Sequence, residues 1–328
     1  MGYNRKYHYY DEDSTVPEKP SLEVTLDAIR AGEHGNLNST VFYGLSELSP
    51  EDADVVRDVW MALSPIYRRK LARRMAEAGE TNFDLDYTAI GRIALNDPDA
   101  EVRQFAIEML AEDRDLALME RYIDIATSDE STAVRAASAS ALGAFILAGE
   151  LGELPEAETG KAQRAMLRLF EDQSQAVDVR RRALEALSNC GHPKVPEAIR
   201  RAYANSERRM RVSAIYAMGR TCDAAWREIV LHELGSEDPE IRFEAARAAG
   251  ELELREAVAA LTLLGRDSDP EIREIAIWSL GEIGGEDAMR VLRTLLREAE
   301  RARDANLVEV IEDAIASAAI GGDDLIEL

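Results

Sequence analysis

The sequence predicts an all-α fold, a right-handed α-solenoid of about seven or eight helix pairs. Three observations lead there. The pentapeptide DPEIR occurs at residues 238–242 and again at 269–273, each time opening an alanine-rich amphipathic stretch. Looser copies end at Arg103, Arg135, Arg180 and Arg211, so that successive marker arginines, through Arg242 and Arg273, stand 32, 45, 31, 31 and 31 residues apart. Composition agrees: 46% of residues are hydrophobic but only 6% aromatic, which suits close helix packing, and 31% are charged, which suits a solvated surface. A unit of this kind cannot bury its apolar face alone and must stack on its neighbours. Because no single core limits such an array, 328 residues need not be divided into ordinary globular domains.

Residues 1–20 carry Tyr3, Tyr7, Tyr9 and Tyr10 followed by Asp11, Glu12 and Asp13, with no helical periodicity, and are expected to be a mobile N-terminal tail. Residues 21–63 read as capping helices over 22–31, 39–48 and 50–63; the last has Ser49 as N-cap, Pro50 at its first position and acids in its first turn. The repeat array is expected over 64–303. Its first unit is disguised: SPIYRRKLARRMAE at 64–77 aligns with DPEIRFEAARAAGE at 238–251, placing Arg68 on Arg242 and Ala72 on Ala246. Later first helices are expected over 101–111, 133–148, 177–190, 208–221, 239–251 and 270–283. Second helices are expected over 87–95, 116–127, 161–171, 195–204, 224–234, 255–265 and 287–300. In the clearest unit Ile272, Ala276, Leu280 and Ile283 share one helical face. Residues 148–160, with Gly149, Gly152, Pro155 and the acids Glu150, Glu153, Glu156 and Glu158, are expected to form an acidic loop insertion that explains the 45-residue interval. Residues 304–328 read as a capping helix over 305–320 and a short acidic tail, DDLIEL.

The formal charge of −24 argues against nucleic acid and acidic membrane surfaces as partners. Cys190 and Cys222 are too few for a disulfide framework or a four-cysteine zinc site and read as buried small side chains in a reducing compartment. No apolar run reaches the ~18 residues of a membrane span, and the polar opening segment lacks the apolar core of a secretory signal, so a cytoplasmic location is expected. Walker, nucleophile-elbow and HExxH patterns are absent, and Gly281, Gly284 and Gly285 read as helix-ending and turn residues. No catalytic residue, metal ligand or cofactor is therefore assigned.

In the two sharpest units Asp238 and Asp269 can accept bonds from free amides at the helix start, Pro239 and Pro270 take the position where a missing amide is harmless, and Glu240 and Glu271 favour the positive helix end. The arginine then falls in the second turn, where its stem can cover the interface between units and its guanidinium can reach a carboxylate or a neighbouring helix end. Such arginines read as structural. This pattern resembles the HEAT repeat, and more closely the bacterial HEAT-like repeats shared with phycobilin lyase subunits. It is carried by Asp238, Pro239, Ile241, Arg242, Ala245, Ala246 and Gly250, and by Asp269, Pro270, Ile272, Arg273, Ala276, Leu280, Gly281 and Ile283. The resemblance covers residues 64–300 and implies fold far more than chemistry, since members include scaffolds, adaptors and enzyme subunits. Diiron hydroxylases built on such repeats use several His-Glu pairs, whereas this chain has one, His232 with Glu233. HEAT-like glycosylases use a basic groove, which the net charge opposes.

One surface feature stands out. Between Asp178 and Arg211 nine basic residues face four acids, a local reversal of sign in an acidic chain. Second helices also carry Arg121, Arg164, Arg168, Arg200, Arg201, Arg227 and Arg293 at positions expected to miss the core. If second helices line a concave side, as the resemblance implies, these arginines form a basic stripe able to grip another protein or an acidic peptide segment through bidentate pairing. The same residues also fit a solvated face paired with Glu197, Glu207 and Glu228. The expected function is a non-enzymatic scaffold or adaptor; the alternative is an accessory subunit of an enzyme, such as a phycobilin-lyase-like complex that attaches a cofactor.

Overall fold

The computed structural model describes residues 19–33, 35, 38–82 and 84–323. The expected N-terminal tail, residues 1–20, lies almost wholly outside these, and so does all but the first residue of the DDLIEL segment. The described residues form α-helices joined by short loops, with no strand among them. In order these are α1 Leu22–Glu33, α2 Ser39–Leu45, α3 Pro50–Ala62, α4 Pro65–Thr81, α5 Thr88–Ala94, α6 Ala100–Met109, α7 Leu116–Ser128, α8 Thr132–Glu150 and α9 Glu156–Glu171. Then follow α10 Val177–Leu187, α11 Val195–Tyr203, α12 Arg208–Arg220, α13 Arg227–Glu233, α14 Pro239–Glu251, α15 Val258–Leu264, α16 Pro270–Ile283, α17 Gly285–Ala302 and α18 Ala305–Asp323. Two compact units result, Met1–Asp113 with α1–α6 and Arg114–Leu328 with α7–α18. The fold is an α-solenoid.

The repeat begins with a loop whose hydrogen bonds are written in the sequence. Asp99, Asp238 and Asp269 cap α6, α14 and α16 by accepting from the amides of Glu101, Glu240 and Glu271, each at 3.0 Å. Two residues earlier, Asp97, Ser236 and Asp267 turn the chain by accepting from the amide of each cap residue. The marker arginine then closes the loop: Arg103 donates to the carbonyls of Asp97 and Pro98 at 2.8 and 3.0 Å, and Arg242 to those of Ser236 and Glu237 at 2.9 and 3.0 Å. Arg135 reaches the Asp129 carbonyl at 2.7 Å and Arg273 the Asp267 carbonyl at 3.0 Å. A cationic fork thus satisfies the carbonyls that the preceding turn leaves exposed.

In the first unit α4 packs on α6 and α3 on α5. Asp97, 2% exposed, sits among them and accepts from Trp60 Nε1 at 2.8 Å while its carboxylate lies 2.8 Å from Arg68 Nε. A buried charge is held there because it is fully paired.

In the second unit the first helices α8, α10, α12, α14 and α16 stack in sequence, ending on α18, and each second helix lies against the first helix that follows it. Small residues set the approach. A Cβ at Gly219 would stand 2.8 Å from Ala248 Cα, one at Gly250 would stand 2.9 Å from Ser279 Cα, and one at Gly281 would stand 3.0 Å from Ala314 Cα. Gly143 against Ala186 and Ser188, 1% exposed, hold the equivalent place in the earlier helices. Alpha-18 closes the stack, since its outward side exposes Glu309, Glu312 and Asp313 where another unit would need apolar groups.

Four expectations need correction. The acidic insertion at 148–160 is hardly a loop: α8 runs on to Glu150 and α9 starts at Glu156, so the long interval is mostly extra helix. The glutamates favour this, because Glu156 and Glu158 lie in the first turn of α9, where negative charge stabilises the helix end. Cys190 is buried as expected, but Cys222 is exposed and left-handed, with φ of 50°. It follows α12 at the helix-ending position that Glu253 and Gly284 hold in the next two units. The helix α8 is long and apolar enough to pass for a membrane span, a length no run was expected to reach; it packs instead against α7, α9 and α10. The second helices expected from Ala224 and Arg255 open as 3-10 turns, Ala224–Trp226 and Arg255–Ala257, before α13 and α15 begin.

Two substitutions in adjacent turns should move stability in opposite directions. Gly250→Ala forces a methyl group into the backbone of α16 and should cost about 1–3 kcal/mol. Glu253→Gly relieves a left-handed non-glycine residue and should gain up to about 1 kcal/mol. Urea midpoints followed by circular dichroism check both signs.

Candidate functional site

All seven arginines singled out in the sequence are exposed, each on a second helix or, for Arg227, at the start of one. Helical register decides which of them meet. Matching the buried positions of the second helices sets Arg164 level with Glu197, Glu228 and Arg290, Arg168 level with Arg201, His232 and Leu263, and Arg200 level with Leu231 and Arg293. This register sets Arg164 and Arg168 on α9 and Arg200 and Arg201 on α11 along the same side of successive second helices. Continuity then fails: α13 and α15 present Glu228, His232 and Leu263, the last 74% exposed, before Arg290 and Arg293 appear on α17. Arg121 lies level with the buried Ala165, off this line, and Arg227 is engaged by Glu256 at 3.0 Å.

The α9–α11 group differs from its surroundings in being unneutralised. Nearby Arg181 and Arg182 pair with Glu185, Arg209 pairs with Asp178, and Arg208 grips Asp238 and Glu240. Arg164, Arg168, Arg200 and Arg201 have no carboxylate within 4.0 Å among the described residues, and the pairing with Glu197, Glu207 and Glu228 that would neutralise them is not formed. Two of them lie over aromatic rings instead: Arg200 is 5.2 Å from the Trp226 ring centroid and Arg201 is 5.7 Å from that of Phe170. These contacts hold the guanidinium groups in place without cancelling their charge. Phe170 also carries Arg180, at 5.9 Å. Burial, and then the neighbouring charge of Arg201, pull the Arg180 guanidinium below its ordinary pKa.

Tyr203, near the end of α11, donates to Glu233 of α13 at 2.5 Å; burial first, then that bond, push its hydroxyl up to about 12. A shallow groove of about 390 Å³ lies at the opposite ends of these helices, lined by Asn189, Cys190, His192, Arg220 and others. Among the described residues no group of three or more His, Cys, Asp or Glu side chains could hold a metal ion.

Sequence reasoning placed Arg180 and Arg211 within the basic stretch but read both as structural markers, whereas neither closes its loop as the other markers do. One signal was available. The turn-forming Asp172, which accepts from the Ser174 amide, precedes its arginine by two residues more than Asp97, Asp129 or Asp267 precede theirs.

A family model of HEAT repeats matches residues 89–159 and 227–312, and one of the PBS lyase HEAT-like repeat matches residues 179–205, the stretch holding α10 and α11. No curated protein matches. Among solved structures, the complex of CpcE and CpcF of phycocyanin lyase from Nostoc sp. is 15% identical, with 70% of this chain and 94% of that chain covered and a TM-score of 0.47. Human deoxyhypusine hydroxylase is 15% identical over 90% of this chain and 98% of that one, with a TM-score of 0.34. The Kap95:Nup1 complex is 14% identical over 90% of this chain and 46% of that one, with a TM-score of 0.48.

The neutralised arginines beside the site make a pH prediction. The hydrogen bond from Arg208, chiefly, holds the Asp238 carboxyl below its usual range. A depressed folded pKa gives stability that is complete above the unfolded value, about 3.9, and is lost as pH falls through the folded one. Asp238→Asn should therefore lower the melting midpoint at pH 7, and the gap from wild type should close below about pH 4 in a thermal-melt series.

Proposed function

The chain is a HEAT-repeat protein, and on that premise we propose that it is a non-enzymatic scaffold or adaptor whose second-helix face on α9 and α11 binds an acidic segment of another protein. One observation carries this reading: four arginines stand exposed and without carboxylate partners on one face of a chain whose net charge is −24. Its own acids outnumber its bases, 63 to 39, so these guanidinium groups do not stand unpaired for want of carboxylates. Stacked repeats offer an extended surface over which such a partner can lie. Arginine forks suit carboxylates geometrically as well as electrically.

A second reading has its own support. The unit matched by the PBS lyase HEAT-like repeat, residues 179–205, includes α11 of the basic face. Under this reading the protein is an accessory subunit in a cofactor-attaching complex, and protein purified from its native host carries a chromophore visible in its absorbance spectrum.

The scaffold reading is checked with a fluorescein-labelled oligoglutamate peptide in an anisotropy titration. Wild-type protein should bind it, more weakly as salt rises. The variant carrying Arg164→Glu, Arg168→Glu, Arg200→Glu and Arg201→Glu should lose that binding while keeping its helical content. Unchanged affinity in the variant would remove the proposal.

A further inference from the structure

Most marker arginines are consumed by their own loops. Arg103, Arg135, Arg242 and Arg273 place a terminal nitrogen on a carbonyl six residues back, and Arg68 donates to the Leu63 carbonyl. Two do not follow this rule, and both flank α11. With two extra residues between Asp172 and its helix, Arg180 cannot repeat the clasp; it turns its Nε to the Phe170 carbonyl at 3.0 Å, and its terminal nitrogens carry no hydrogen bond among the described residues. The Arg211 guanidinium makes no hydrogen bond among them either, although the turn before it, with Asn205 accepting from the Glu207 amide, has the ordinary spacing. Arg211 stands in the first turn of α12, the helix on which α11 packs, eight residues after Tyr203 at the end of α11.

Marker arginines of a kind that serves the fold elsewhere are thus left over beside second-helix arginines that also lack carboxylate partners. Arg201 and Arg180 share the Phe170 ring, so two guanidinium groups are held near each other against their mutual repulsion. An arrangement that concentrates like charge and leaves it without a carboxylate within 4.0 Å among the described residues suits an incoming anion.

We propose that Arg180 and Arg211, with Arg200 and Arg201, form the anchoring seat for carboxylate side chains of the acidic partner segment. This rests on the scaffold reading above and assigns the strongest contact to the edge where α9 and α11 pass into the loops before α10 and α12. Occupancy gives the terminal nitrogens of Arg180 and Arg211 the oxygen partners that loop carbonyls supply to the other marker arginines.

The test separates clasping from anchoring arginines with the same labelled oligoglutamate probe. Arg211→Gln and Arg180→Lys, singly and together, should each weaken binding by about tenfold, the loss expected for one charge-assisted pair. Arg211→Gln should leave the melting midpoint unchanged. Arg242→Gln and Arg273→Gln should do the reverse, lowering the midpoint and sparing affinity. If the fourfold Glu variant of α9 and α11 loses binding while Arg211→Gln and Arg180→Lys bind as wild type does, the seat is wrong and the scaffold reading stands. If the fourfold variant also binds normally, both fail. A midpoint that drops as far in Arg211→Gln as in Arg242→Gln shows an ordinary clasp and overturns the proposal.

Discussion

The close approach of successive first helices governs the second unit. Gly143, Ser188, Gly219, Gly250 and Gly281 occupy one line, and the last three glycines leave no room for a Cβ against the next helix. Contact at that distance lets the small residues of an alanine-rich sequence bury efficiently, with Ala245, Ala246, Ala248 and Ala249 all sealed from solvent. It also explains how an array with so few aromatic residues coheres. Glycine costs helix propensity, and the packing it permits offsets that cost.

Around this spine the polar groups divide by task. In the half-buried layer beside the glycine line, Arg247 bonds to Glu244 at 2.8 Å and to Glu251 at 2.6 Å, and lies 4.1 Å from the Tyr216 ring centroid. Glu185 accepts from Ser213 and pairs with Arg182. These buried charges are paired with opposite charges or hydrogen-bond donors, although Glu251 Oε2 itself has no hydrogen-bond partner among the described residues. On the second-helix face the same side-chain type is left open. The contrast between saturated and unsaturated arginines, more than the number of arginines, sets the proposed binding surface apart from the rest of this molecule.

Much of this was legible in the sequence for a physical reason. Asp, Pro and Arg at fixed offsets are capping, initiating and loop-closing residues, so DPEIR states a local structure, and its recurrence states the architecture. Alternation of apolar positions placed the exposed arginines correctly on second helices. What escaped was whatever depends on register between distant segments. Only helical phase shows that Arg168 and Arg201 stand level while Arg121 falls off the line. Residues 148–160 resembled a loop because Gly149 and Gly152 punctuate them, yet Gly149 lies within α8, where its missing Cβ makes room for Thr159 of α9. Cys222 passed for a core residue because composition cannot reveal a left-handed backbone.

Successive second helices touch one another sparingly, and what links them is polar: Tyr203 to Glu233, Arg227 to Glu256, Arg266 to Glu298. First helices, by contrast, are locked by backbone contact. The unit therefore has one inextensible edge and one compliant edge, as a hinge-bound book has. Exposed ion pairs are weak and screened by salt, so the spacing between the free edges of adjacent pages can open or close at small energetic cost. A partner of the proposed kind whose charged groups are not spaced at the repeat distance would then be accommodated by a change of pitch along the free edge, with the glycine-packed spine undisturbed.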